Sequence, residues 1–238
     1  MDLSRQLRSH LELLKAAGVE YVPRGEPIRF APRAAVEEPA TADPAESKRI
    51  ELAVLAKSIE GCSRCPELFA TRTQTVFGVG PVNPEVCFVG EAPGADEDAR
   101  GEPFVGRSGQ LLDKIIAACG FKRGEVYICN TIKCRPPNNR TPTPTERDNC
   151  RGYFDQQIAL VSPKYIVCLG ATAAQNVLGT TTNISRLRGS VHKFGAIPVV
   201  CTFHPSYLLR DETKKKDCWD DMKMLLALMG RPVPGKAS

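Results

Sequence analysis

Ten cysteines in 238 residues are the first feature with chemical consequence. Cys62 and Cys65 form a C-x2-C pair in the loop-like segment GCSRCP. Two thiolates at that spacing can bind one metal centre. Cys134 and Cys150 follow on either side of the loop RPPNNRTPTPTERDN, which Pro136, Pro137, Pro142 and Pro144 stiffen. The second pair is too widely spaced for an ordinary zinc ribbon. Four thiolates in this arrangement suit either a zinc ion or a [4Fe–4S] cluster. The other six read as packing. Cys87, Cys129, Cys168 and Cys201 lie inside short apolar runs, Cys119 on a helix face and Cys218 near the start of the last helical pattern. A free thiol in such a place behaves as a small hydrophobe.

Those apolar runs are the elements that must position the chemistry. Residues 86–89, 126–129, 165–169 and 198–202 are too short for helices, and most are rich in Val and Ile. Helical patterns lie between them. One spans 108–119, with Ser108 as cap and Gly120 as stop; the next runs from Thr145 as cap through Ile158. A third covers 171–178 and ends at Gly179; the last covers 215–229, with Trp219, Met222, Leu225, Leu226 and Met229 at helical spacing. The alternation predicts an α/β fold: a three-layer sandwich with a central four-stranded parallel sheet and helices on both faces. Sites in such sheets form at the C-terminal ends of strands. Here those ends read Gly90-Glu91-Ala92-Pro93-Gly94, Asn130-Thr131, Gly170-Ala171 and Phe203-His204-Pro205-Ser206.

Hydrophobic residues make up 42% of the chain and charged residues 25%, close to the globular average, which excludes wholesale disorder. No run of about 18 apolar residues occurs, so no membrane span is expected. The N-terminal residues carry charges throughout and lack the apolar core of a signal peptide, so a cytoplasmic protein is expected. Cysteines there serve as thiols or metal ligands rather than disulfides. Leu3, Leu7, Leu11 and Leu14 share one helical face, and five prolines follow between residues 23 and 44. The organisation expected is an N-terminal helix (1–21), a proline-rich linker (22–47), one main domain (48–230) and a tail (231–238).

Three long stretches carry a resemblance. GEAPGADEDARGEPFVGRSGQLLDKII, VYICNTIKCRPPNNRTPTPTE and FHPSYLLR, in that order, resemble the iron–sulphur (family 4) class of uracil-DNA glycosylases over about residues 50–230. The resemblance implies that Cys62, Cys65, Cys134 and Cys150 hold a [4Fe–4S] cluster. It implies removal of uracil from single- or double-stranded DNA by hydrolysis of the N-glycosidic bond, leaving an abasic site for base excision repair. By position, Gly90, Glu91 and Ala92 match the loop lining the uracil pocket and the attacking water. Phe104 matches the ring that stacks on uracil, and Asn130 the amide that reads the base edge. Glu97 and Asn139 match polar positions implicated in base selection or activity. His204 matches the histidine facing uracil O2, and Ser206, Tyr207, Leu208 and Arg210 fall in the loop that enters the DNA minor groove. Ala92 stands about where many other uracil-DNA glycosylases place an aspartate, so the water's activator is left open, with Glu91 the nearest candidate.

The chemistry is coherent with those residue types. A base must leave the stack to be cut out, at a cost of a few kcal/mol that pocket contacts offset. An asparagine amide has one donor and one acceptor face, so it can match uracil O4 and N3–H together, whereas cytosine presents the reverse pattern. A donor at O2 stabilises the departing anionic base. Net charge is only +5. Its distribution is more telling, because Arg186, Arg188, Lys193, Arg210, Lys214, Lys215 and Lys216 cluster in residues 184–216 against Asp211 and Glu212. Phosphate contact is the expected use of that stretch. The protein is expected to act as a monomer. Two other readings compete. A non-catalytic iron–sulphur DNA-binding protein would share the cysteines and the basic stretch but lack the Phe104, Asn130 and His204 set. A nucleotide-binding protein would need a GxGxxG or Walker lysine, and GEAPG has neither.

Overall fold

Parallel strands with apolar side chains on both faces need cover on both faces, and that requirement organises the chain. The computed structural model describes residues 3–20 and 43–235. The chain divides between residues 41 and 42 into two units. In the first, α1 (Leu3–Ala16) is a single helix with Leu7, Leu11 and Leu13 exposed. Residues 22–42 of the expected linker lie outside the described residues, as do 236–238 of the tail. In the second unit α2 (Pro44–Glu60) begins inside the stretch read as linker, because Asp43 caps it and Pro44 takes the first turn.

From there the order is α3 (Pro66–Thr71), β1 (Val86–Gly90), α4 (Ala95–Arg100), α5 (Arg107–Ala118), β2 (Tyr127–Asn130), α6 (Pro144–Val161), β3 (Tyr165–Leu169) and α7 (Ala171–Leu178). Then come α8 (Ile184–Leu187), β4 (Val191–Phe194), β5 (Ile197–Thr202), α9 (Pro205–Arg210) and α10 (Lys215–Leu228). The sheet order is β2-β1-β3-β5-β4. The four anticipated strands pair in parallel, with Val89 opposite both Cys129 and Cys168, and Cys168 opposite Cys201. The fifth, β4, was not anticipated. It forms an antiparallel hairpin with β5, Val191 opposite Val200 and Phe194 opposite Ile197, around a turn whose Gly195 has φ +57°. A search for continuous apolar runs passes over VHKF because an edge strand alternates half-exposed side chains. The Gly-x turn between Phe194 and Ile197 was the available signal.

Alternate strand residues feed two cores. Cys87, Val89, Cys129, Ile166, Cys168 and Cys201 face Phe154, Ile158 and Val161 of α6 and Ala173, Ala174 and Val177 of α7. Val86, Phe88, Ile128, Val167 and Val200 face Leu112 and Ile116 of α5 and Met222, Leu225 and Leu226 of α10. The three layers are therefore as expected, and all four strand cysteines are fully buried on one face.

Two caps differ from expectation. Helix α5 starts at Arg107 with Gly106 in the cap position, two residues ahead of Ser108. Helix α6 is capped by Thr143 rather than Thr145. Its Oγ1 accepts from the Glu146 main-chain N–H (3.2 Å), and the Glu146 carboxylate accepts from the Thr143 N–H (2.8 Å). Pro144 then fills the first helical position, where no N–H is missed.

Candidate active site

Strand order reverses between β1 and β3, the switch point at which open α/β sheets leave a crevice beyond the strand ends. A cleft occupies that place. Glu91, Ala92, Glu97, Phe104, Asn130, Asn139, His204, Ser206, Tyr207 and Arg210 all line it, joined by Arg107 and Arg140. Its volume, about 1400 Å³ with its open mouth, accommodates a nucleotide and its backbone rather than a base alone.

The floor is Gly90, the last residue of β1. A Cβ there would lie 2.3 Å from the Asn130 Oδ1 and 2.6 Å from the Phe104 ring, so only glycine lets the ring and the amide meet over the strand end. Phe104 holds φ +54°, a costly conformation for a bulky residue. Two contacts maintain it. At Gly109 the α5 backbone approaches so closely that a Cβ would fall 1.8 Å from the Phe104 carbonyl oxygen. The Glu97 carboxylate accepts from the main-chain N–H groups of Gly94 (3.1 Å), Val105 (3.0 Å) and Gly106 (3.0 Å), tying the loop after β1 to the loop carrying the ring.

Asn130 is buried at the end of β2, and its Oδ1 has no hydrogen-bond partner among the described residues. A buried acceptor left unpaired costs roughly 1–3 kcal/mol. His204 sits across the cleft, its ring 5.7 Å from that of Phe104 and inclined by 33°. Its Nδ1 accepts from the Ser206 main-chain N–H (3.1 Å) and lies 2.8 Å from the Ser206 hydroxyl. The proton of the neutral ring therefore resides on Nε2. Burial, aided by the Arg210 charge, pushes its pKa down to about 4, so the ring is neutral near pH 7. Glu91 is half-buried, and burial raises its pKa against the opposing influence of Thr172 and Arg147. Asn139 follows Asn138 in the left-handed region, and its Oδ1 accepts from Arg135 Nε (2.8 Å).

The four cysteines singled out by spacing also come together. Cys62 and Cys65 lie before α3, Cys134 follows β2, and Cys150 lies in α6. They line one small pocket with Leu68, Ile132 and Tyr153. Among the described residues no three His, Cys, Asp or Glu side chains converge tightly enough to hold a single ion. N–H groups are directed at them: Arg72 Nη1 donates to Cys134 Sγ (2.8 Å) and Asn149 Nδ2 to Cys65 Sγ (3.5 Å). Burial pushes the Cys150 thiol up to about 11, with the Lys133 charge acting against it. Ala92 packs on this site from the loop after β1 while also lining the cleft.

The family model for the uracil DNA glycosylase superfamily matches residues 77–223, well over half the chain. The chain belongs to that superfamily. Within it, the chain is 44% identical to a type-4 uracil-DNA glycosylase of Thermotoga maritima over 164 residues, covering 68% of this chain and 85% of the relative. It is 41% identical to a type-4 enzyme of Archaeoglobus fulgidus over 188 residues, 76% of this chain and 94% of the other. With a type-4 enzyme of Pyrobaculum aerophilum the figures are 37% over 183 residues, 74% and 93%.

For this member of the superfamily the residues expected at the site mostly share the cleft, with three differences. Leu208 is buried between Phe203 and Cys218, and it is Leu209 of α9 that is exposed. Glu97 lines the cleft but spends its oxygens on main-chain N–H groups, although an acidic run such as ADEDAR reads in isolation as a solvated loop. Arg188 is not a free surface cation. It pairs with the buried Asp221 (3.1 Å), donates to the Asp217 carbonyl and lies over the Phe203 ring. Lys214 and Lys215 are likewise engaged, with Asp217 and Glu212. Sequence reasoning missed Arg107, exposed at the cleft where α5 begins, and Arg140, which bridges Glu67 of α3 and Glu146 of α6. Both lie inside the stretches that carried the resemblance.

Proposed function

We propose that the chain excises uracil from DNA by hydrolysing the N-glycosidic bond, leaving an abasic site. The observation that carries this reading is the buried, unpartnered Asn130 Oδ1 facing the same cleft as the Phe104 ring. An orphaned acceptor is costly in the free protein and is satisfied by the N3–H of a flipped uracil, with the amide N–H₂ donating to O4. Cytosine carries no proton at N3 and has a donor at C4, so it leaves both groups unpaired. Phe104 stacks on the base, and Gly90 leaves it room. His204 donates from Nε2 to O2, and as a neutral donor it stabilises the charge that develops there as the base departs. It is oriented by Ser206. With Ala92 in the loop, the water lies between Glu91 and Asn139. The raised pKa of Glu91 supports a proton acceptor, and Asn139 supports orientation of the water by its amide.

DNA is held by Arg107, Arg210, Ser206 and Tyr207 around the cleft mouth. The wedge filling the vacated stack is Leu209, whose exposure suits insertion, in place of Leu208. Cys62, Cys65, Cys134 and Cys150 hold a [4Fe–4S] cluster. Four thiols lining one pocket, with N–H donors to sulfur, support a metal centre there, and the resemblance of the surrounding stretches selects iron over zinc. When bound, the cluster supplies a structural brace between α3, the loop after β2 and α6, and no electron transfer enters the hydrolysis. The domain of 48–230 acts as a monomer in the cytoplasm; no helix among the described residues is long and apolar enough to cross a membrane. A non-catalytic DNA-binding role is disfavoured, since it gives no use to the orphaned Asn130.

The test is excision from single- and double-stranded uracil oligonucleotides by the iron-loaded protein, read as alkaline cleavage. Uracil-dependent cleavage is expected. DNA binding without it would sink the proposal.

A further inference from the structure

Lys133 is fully buried, although lysine is among the residues least often found inside. Its ammonium is saturated by three neutral acceptors: the Asn130 carbonyl (2.7 Å), the Phe77 carbonyl (3.1 Å) and the Gln157 Oε1. The faces of Phe77 and Phe154 lie 5.7 and 5.8 Å away. Gln157 completes the cage by donating to the Phe77 carbonyl and to the Tyr127 hydroxyl, both at 2.9 Å. A charge held without a carboxylate in the interior is expensive, and packing alone does not call for one. Its strongest contact with neighbouring main chain is at Asn130. That residue must keep its side-chain Oδ1 unbonded until a base arrives, so no bond to that oxygen fixes the amide's place. The backbone must do so instead. Thr131 N–H to the Gly90 carbonyl (3.0 Å) ties it on one side, and Lys133 grips the Asn130 carbonyl on the other.

We propose that Lys133 is a positioning residue for base selection: its buried ammonium fixes the Asn130 main chain and thereby sets the aim of the amide that reads uracil. The inference rests on the uracil-excising reading above. Lys133 never touches the substrate. It acts through a hydrogen-bonded cage drawn from α6, β2 and the segment before β1, and the next residue along the chain is Cys134.

The experiment compares the iron-loaded wild type with Lys133→Met, which keeps the stem and removes the charge. Binding is measured to duplexes carrying one non-cleavable 2′-fluoro-deoxyuridine, against matched deoxycytidine and abasic-analogue duplexes. Kinetics are measured on the uracil duplex. The expected result is a loss of about tenfold or more in uracil-over-cytosine preference, the effect of a mispositioned polar reader. A fall in kcat with KM nearly kept, and abasic-analogue binding and visible iron absorption unchanged, should accompany it. Unchanged preference in folded, iron-loaded Lys133→Met would overturn the inference and leave the enzyme reading intact. Absence of excision by the wild type would overturn the enzyme reading itself. If Lys133→Met does not fold, Gln157→Glu decides. It offers Lys133 a carboxylate, draws the ammonium from Asn130, and is expected to lower preference in the same direction. Wild-type preference in that variant would count against the proposal.

Discussion

On the proposed reading, Asn130 is a residue bad for the fold and needed by the site. Its orphaned Oδ1 costs stability, so Asn130→Ala should melt within about 1 kcal/mol of wild type, or above it, while uracil-over-cytosine preference falls by up to about 10⁴-fold. Calorimetry and excision kinetics on the same preparation check both halves. His204 carries a pH signature. Its folded pKa of about 4 lies below the ordinary 6.5 of an unfolded histidine. The unfolded chain therefore takes up a proton that the folded one refuses. This contribution to stability is complete above pH about 6.5 and is lost as pH falls toward 4, by up to about 3 kcal/mol. Denaturant titrations across that window should show the slope, and His204→Gln should flatten it. His204→Ala should lose about 10²–10³-fold in kcat by surrendering the donor at O2. Phe104, Asn130 and His204 were legible because each stands at a fixed offset from a strand end or within a long motif. Lys133 was not, since a lysine beside a cysteine reads as surface until Phe77 and Gln157 close around it.

Among the elements, helix α4 shows what a short acidic run can hide. Glu97 binds the loops on both sides of the Phe104 approach, and Asp98 accepts from the main-chain N–H groups of Thr73 and Gln74 in the segment before β1. Glu97→Ala should cost about 2 kcal/mol, speed hydrogen exchange at Val105 and Gly106, and lower kcat more than DNA affinity. Arg188 belongs to the fold as well. Removing it strands the carboxylate of Asp221, which is 1% exposed. Arg188→Met should therefore cost about 3–5 kcal/mol. The salt dependence of DNA binding should stay as in the wild type, whereas a phosphate contact would lower that slope by about one. The parallel strands and their helices were readable because their periodicities are local. The fifth strand and the α6 cap were harder, since an edge strand lacks a continuous apolar run and Thr143 and Thr145 are both plausible caps.

At the scale of the whole molecule, the cysteine site joins segments that the sheet does not. Cys62 and Cys65 precede α3, Cys134 trails β2 and Cys150 belongs to α6, so the proposed cluster would join three segments and its loss would free them at once. Protein stripped of iron should melt at lower temperature and be cut first by protease between residues 134 and 150, while the sheet keeps its circular dichroism. Unchanged melting would show that the thiols need no metal. The spacing singled out Cys62, Cys65, Cys134 and Cys150 as one thiolate site although nothing local brings residue 62 to residue 150, and only the resemblance chose iron over zinc. The remaining thiols have a different consequence. Cys87, Cys129, Cys168 and Cys201, one on each of the four parallel strands, face the same core with no solvent exposure, and Cys119 and Cys218 are nearly as hidden. Alkylating reagents can reach them only when the sheet opens. The rate at which these six become labelled in the native protein is thus a built-in clock for its breathing, running in the same molecule whose cleft does the cutting.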